Sequence, residues 1–145
     1  MFYSDDHGET WQRGGSVDWC TNESTTVDLA DGSIGDNIRS YSGTGMRAVT
    51  VSHDGGDSWE PVKLDPEPIE PRCQANLLRY SFPSETEKSR ILFCRPACRR
   101  DRHKLTVAVS YDEGESWPVS AMIYRSSAAY SCMTKLADGS IGVFF

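Results

Sequence analysis

One eight-residue pattern occurs three times, and it constrains the fold more than any other feature. Ser4-Asp5-Asp6-His7-Gly8-Glu9-Thr10-Trp11, Ser52-His53-Asp54-Gly55-Gly56-Asp57-Ser58-Trp59 and Ser110-Tyr111-Asp112-Glu113-Gly114-Glu115-Ser116-Trp117 share Ser-x-Asp-x-Gly-x-Thr/Ser-Trp. The starts lie 48 and 58 residues apart, and three of the four tryptophans close an octet. Trp is rare, so this recurrence marks a repeated supersecondary unit. The chemistry is that of a turn: Ser and Asp side chains bond nearby backbone groups, and Gly takes a positive φ at little steric cost. Asp6, Asp54 and Asp112 therefore read as turn formers, because a single active site has no use for the same carboxylate at three structural intervals. Each closing Trp is expected against the apolar face of a sheet, with its indole N–H on a partner.

A second repeat is nested in the first. Leu29-Ala30-Asp31-Gly32-Ser33-Ile34-Gly35 returns letter for letter as Leu136-Ala137-Asp138-Gly139-Ser140-Ile141-Gly142, and Asp-Gly is a hairpin signal. Segments rich in β formers surround these turns at 25–29, 47–51, 76–80, 90–94 and 105–109, and no window carries a helical apolar stripe. The chain reads as all-β. Each unit of about 50 residues becomes a four-stranded antiparallel sheet, the blade of a β-propeller. Residues 1–145 then hold about three blades of a single propeller domain. So few blades leave apolar faces and strand edges uncovered, so the expectation is a piece of a longer chain or a protein that assembles with copies of itself.

Composition narrows the partners. With 38% hydrophobic and 25% charged residues the chain is an ordinary globular one. It has no apolar run near the roughly 18 residues of a spanning helix and no signal peptide at its start. A net charge of -6 argues against nucleic acid as a partner, since phosphate binding demands a basic surface. Any anionic ligand must be held by a local cluster. Five cysteines, an odd number in a chain this long, read as free and buried thiols, and the spacing of Cys94, Cys98 and the three histidines predicts no metal site.

The nested repeat supplies a register for chemistry. Glu23 lies six residues before Leu29 and Tyr130 six before Leu136, so the two occupy equivalent positions on different blades. A phenol becomes nucleophilic when a base takes its proton; the alternative is a solvated Glu and a core Tyr. Arginines are the third ingredient. Arg39 follows the first Asp-Gly turn with Arg47 nearby, and the stretch 95–104 carries five bases, Arg95, Arg99, Arg100, Arg102 and Lys104, against one acid. Guanidinium groups offer paired donors to a carboxylate or phosphate, while a solvated basic loop would look the same in sequence.

The octets are Asp boxes, and the whole chain resembles the non-viral exo-alpha-sialidases (neuraminidases), whose fold is a six-bladed propeller. Asp boxes also occur in other propellers; three further segments carry the resemblance. Cys20-Thr21-Asn22-Glu23-Ser24 with Asn37-Ile38-Arg39-Ser40 is similar to the stretch holding the catalytic Glu and one carboxylate-binding arginine, which implies Glu23 and Arg39. Cys73-Gln74-Ala75 followed by Ile91-Leu92-Phe93 and Arg102-His103-Lys104-Leu105-Thr106-Val107 resembles the segment that supplies another such arginine, implying Arg102, with Arg99 and Arg100 as its neighbours. Ala129-Tyr130-Ser131 before Leu-x-Asp-Gly resembles the segment of the nucleophilic tyrosine, with Cys132-Met133 in place of the more usual Asp-Leu.

The resemblance implies a retaining hydrolase that releases terminal sialic acid from glycoconjugates without metal or other cofactor. It also implies an earlier arginine and an aspartate acid/base upstream of the first octet, and a Glu directly after Phe145. Residues 1–145 alone are therefore expected to have little or no activity. A rival reading is a noncatalytic Asp-box propeller that binds glycans or proteins; a third is a transglycosidase.

Overall fold

The computed structural model describes residues 1–17 and 20–145. Among these, the regular elements are all strands: β1 (Phe2–Tyr3), β2 (Gln12–Arg13), β3 (Thr21–Asp28), β4 (Ile34–Ser40), β5 (Arg47–Ser52), β6 (Lys63–Asp65), β7 (Asn76–Ser81), β8 (Arg90–Pro96), β9 (His103–Ser110), β10 (Val119–Ser127), β11 (Cys132–Lys135) and β12 (Ile141–Phe144). No helix is long and apolar enough to cross a membrane. The strands form β3-β4-β5-β6 and β7-β8-β9-β10, both antiparallel meanders, flanked by the pairs β1-β2 and β11-β12. Two four-stranded blades and two half-blades together make up the roughly three blades that the repeat predicts.

The octets fold alike. In each, the Ser hydroxyl donates to the Asp carboxylate at 2.7–2.8 Å and accepts the Gly N–H at 2.8 Å. The same carboxylate accepts the N–H and hydroxyl of the Thr or Ser that precedes Trp. Gly8, Gly56 and Gly114 have φ of 94°, 99° and 94°, a conformation that a Cβ disfavours. These bonds hold the Asp6 and Asp54 carboxyls at about 2, with the Thr10 and Ser58 hydroxyls as the largest cause. The octet carboxylates are thus spent on the turn, as their repetition implied.

Successive blades pack through their first strands. Leu77 N–H donates to Thr25 Oγ1 at 3.2 Å, linking β7 to β3, and Met133 N–H donates to Asn76 Oδ1 at 2.7 Å, linking β11 to β7. Strand β8 is apolar on both sides because both sides are covered. Ile91 and Phe93 join Val27, Ala75, Ala108 and Trp117 on one face, while Leu92 and Cys94 join Leu105, Ala128 and Met133 on the other. Fully burying a side chain such as Phe93 contributes about 1.5–3 kcal/mol. At the outer edge Glu113 of the third octet staples two blades, accepting from Ala30 N–H at 2.8 Å and pairing with Arg79 and Ser89.

Three expectations are corrected. Trp117 is buried against Phe93, with ring centroids 5.2 Å apart, but Trp59 is half-buried and Trp11 is 66% exposed. Trp11 sits beside the two-stranded β1-β2, which offers too little sheet to cover it. The Trp117 indole N–H turns toward the Asp65 carboxyl without completing a well-formed hydrogen bond. All five cysteines are free, yet only Cys73 and Cys94 are buried; Cys98 is half-buried, and Cys20 and Cys132 are exposed.

Candidate active site

Glu23 lies where the pairing of β3 with β4 slips. Thr21 faces Ser40 and Ser24 faces Ile38, so Asn22 and Glu23 together oppose Arg39. A bulge of this kind re-aims side chains, and here Arg39 Nη1 meets Glu23 Oε2 at 2.7 Å. Tyr130 stands two residues before β11, and its hydroxyl donates to Glu23 Oε1 at 2.5 Å. Arg102 closes the loop between β8 and β9, with its guanidinium 5.7 Å from the Tyr130 ring centroid, within reach of a cation–π attraction. Two blades and a half-blade thus bring Glu23, Arg39, Arg102 and Tyr130 to one place.

The charges of the cluster are fixed by these contacts. The Tyr130 hydroxyl is raised above its ordinary value, first by its hydrogen bond to Glu23, then by desolvation and the carboxylate charge; Arg39 and Arg102 pull the other way. Desolvation alone would raise the Glu23 carboxyl. The hydrogen bonds from Tyr130 and Arg39 and the charges of Arg39 and Arg102 outweigh it and hold that carboxyl below the usual range. The shared proton rests on the phenol, and Glu23 is a carboxylate at neutral pH. Arg39 Nε is buried without a hydrogen-bond partner among the described residues.

A cavity of about 330 Å³, lined by residues such as Leu29, Asp36, Leu77 and Trp117, shares none of these four residues. The cluster instead lies on an open face, with Tyr130 49% exposed.

Two of the sequence-derived arginines lie elsewhere. Arg47 is fully buried, donating to Asn37 Oδ1 at 2.6 Å and to the Cys73 carbonyl at 2.7 Å, with Glu70 at 3.6 Å. Burial pushes its guanidinium down to about 10, so it stays charged at neutral pH. Arg95 is buried as well, donating to the Ile69 carbonyl at 3.1 Å. Neither belongs to a surface patch.

Arg47 still reaches the site through a relay that sequence reasoning missed. Glu70 Oε2 accepts the Cys73 N–H at 2.5 Å while Arg47 holds the Cys73 carbonyl, so the two peptide groups that flank the Cys73 Cα are both held. The next residue, Gln74, pairs with Ser131 as a strand would: Oε1 accepts Ser131 N–H at 2.9 Å and Nε2 donates to Ser131 C=O at 3.1 Å. Ser131 follows Tyr130 directly. Tyr41 was also missed; its ring receives the Arg39 guanidinium at 5.1 Å and that of Arg72 at 5.7 Å.

The BNR repeat-like domain profile matches residues 1–143. The chain belongs to the BNR repeat-like domain family. Within it, the chain is 38% identical over 147 residues to a sialidase of Micromonospora viridifaciens, a match that covers 99% of this chain and 23% of that protein. It is 25% identical over 153 residues to a sialidase of Bacteroides fragilis, covering 100% of this chain and 27% of the relative. Among solved structures, a Hadza microbial sialidase superposes with a TM-score of 0.85 at 32% identity, covering 98% of this chain and 28% of that one. The chain spans about a quarter of the length of the curated relatives it matches, and its fold is part of a sialidase-type β-propeller.

Proposed function

We propose that the protein carrying this chain is a retaining exo-alpha-sialidase, with residues 1–145 forming one part of a single propeller domain. The observation that carries this reading is the hydrogen bond of 2.5 Å from Tyr130 to Glu23, flanked by Arg39 and Arg102. Most retaining glycosidases use a carboxylate nucleophile, and sialidases are an exception with Tyr. The reason is electrostatic: sialic acid carries a carboxylate on its reacting carbon, and a second carboxylate would approach as a like charge. A neutral phenol avoids that repulsion.

In this mechanism Arg39 and Arg102 hold the sugar carboxylate through charge-assisted hydrogen bonds. Tyr130 Oη bonds to the anomeric carbon as the glycosidic C–O bond breaks, and its proton passes to Glu23. The raised hydroxyl of Tyr130 means that no phenolate stands ready; the nucleophile forms only as positive charge develops on the sugar. Water then attacks the glycosyl–Tyr130 intermediate from the vacated side and gives its proton to the aspartate acid/base; the Tyr130–sugar bond breaks, Glu23 returns its proton to Tyr130 Oη, and the sugar leaves with retained configuration.

The aspartate acid that protonates the leaving group is implied to lie outside residues 1–145. Its absence costs about 10² to 10⁴ in rate, so this chain alone should turn over little sialoside. Tyr130→Phe in the whole protein tests the reading. It should abolish turnover of an aryl sialoside while sialic acid still binds; undiminished turnover would remove Tyr130 as nucleophile and leave the binding-module alternative.

A further inference from the structure

The loop between β8 and β9 brings together three side chains that the proposed reaction does not use. Cys98, Asp101 and His103 each offer one donor atom, Sγ, a carboxylate oxygen and a ring nitrogen, and these lie within 4.8 Å of one another. The spacing Cys-x2-Asp-x-His keeps all three on one short loop. The loop is tied at its base by Ala97 N–H to Lys104 C=O at 3.0 Å and at its tip by His103 N–H to Asp101 C=O at 2.9 Å. Its far side is anchored to the next segment by Ala128 N–H to Arg102 C=O at 2.9 Å. Three convergent donors on a tied backbone differ from a free surface cysteine.

We propose that Cys98, Asp101 and His103 form a binding site for one thiophilic divalent cation, Zn²⁺ or a close chemical relative. Thiolate, imidazole and carboxylate are the ligand types of zinc, at about 2.3, 2.0–2.1 and 2.0–2.2 Å, which places tetrahedral ligand atoms roughly 3.4–3.7 Å apart. The hard cations Mg²⁺ and Ca²⁺ prefer all-oxygen shells, which this trio does not provide. Ligation needs the thiolate. Thiolate and carboxylate together neutralise a dication, and His103 remains a neutral ligand. Three protein ligands leave a fourth position to water.

The site would act on Arg102, which lies between two of the ligands in sequence. The guanidinium of Arg102 is exposed and secured only loosely, by the Tyr130 ring and by Nη2 to Arg72 C=O at 3.4 Å. A cation on Asp101 and His103 fixes the backbone on both sides of Arg102. The metal site itself takes no part in bond making and stands whether or not the whole protein is a sialidase; its effect on ligand binding through Arg102 rests on that reading.

Cobalt(II) is the probe, because thiolate ligation gives it a near-ultraviolet charge-transfer band. The 145-residue chain, reduced and metal-free, should bind one Co²⁺ with that band, and Zn²⁺ should displace it. Cys98→Ser should abolish the band, while the double variant Cys20→Ser/Cys132→Ser keeps it. Since losing even an outer-shell partner costs about 10- to 100-fold in metal affinity, His103→Gln and Asp101→Asn should each weaken binding by at least about tenfold, with circular dichroism unchanged. Absence of the band in the unaltered chain, its survival in Cys98→Ser, or undiminished affinity in His103→Gln would each overturn the proposal.

Discussion

Two carboxylates on neighbouring strands titrate in opposite directions, and the contrast separates the work of a site from the strain of a fold. Glu23 is held below the ordinary range because donors surround it, whereas Asp36 on β4 is raised to about 6, chiefly because burial strips its water. Its Oδ1 is buried without a partner. For Glu23 the consequence, within the proposed reaction, is that the basic form persists to lower pH than in an ordinary Glu. The acid limb of kcat/KM in the whole protein should fall below the usual carboxylate range, and Glu23→Gln should lower the rate at every pH; an ordinary limb unmoved by Glu23→Gln would exclude the base role. For Asp36 the consequence is stability. A carboxyl whose folded value exceeds its unfolded one favours folding fully only below the unfolded value, and this advantage is lost as pH rises from about 4 through 6. The loss amounts to roughly 3 kcal/mol. Urea denaturation of Asp36→Asn should therefore show a gain over the unaltered chain that is small near pH 4 and reaches a plateau above about 6.5. A gain independent of pH would refute this account of Asp36.

Among elements, the decisive contacts run between strands of different blades. Gln74 imitates a strand with its side chain, and through Ser131 it fixes the backbone that carries Tyr130. Gln74→Ala should lower kcat about 10- to 100-fold with KM little changed, because small misplacements of a reacting group cost rates of that order. A matched fall in thermal stability with kcat intact would make Gln74 a structural tie only. The same elements explain what could be read from sequence. Octets and Asp-Gly turns were legible because their hydrogen bonds close within two to four residues. The four strands per blade followed from those turns. Gln74 was illegible because its partner lies 57 residues away. Arg47 misled for a related reason, since a charged residue reads as exposed until a buried Glu70 is placed beside it. Cys98, Asp101 and His103 needed the loop's turn to be known before their spacing had meaning. Glu23, Arg39, Arg102 and Tyr130 were reached through family resemblance; the repeat alone gave only the equivalence of Glu23 and Tyr130.

At the scale of the molecule, burial is distributed unevenly, and the pattern predicts behaviour in solution. The blade β7-β10 is packed on both faces, while the half-blades at either side present Phe2 at 69%, Trp11 at 66%, Phe144 at 82% and Phe145 at 50% exposure. These side chains lie on or directly beside two-stranded pairs whose outer edges are open to strand addition. Large exposed apolar patches mark contact surfaces, and the net charge of -6 is too modest to keep copies apart once salt screens it. The 145-residue chain by itself should therefore self-associate, with a sedimentation coefficient that rises with protein concentration and with salt. Phe144→Ser combined with Phe145→Ser should reduce the association, because it removes apolar area without touching the octets or the Tyr130 cluster. Strict monomer at every concentration would mean that these faces are satisfied within the chain, and that two blades and two half-blades are a stable unit without further sheets.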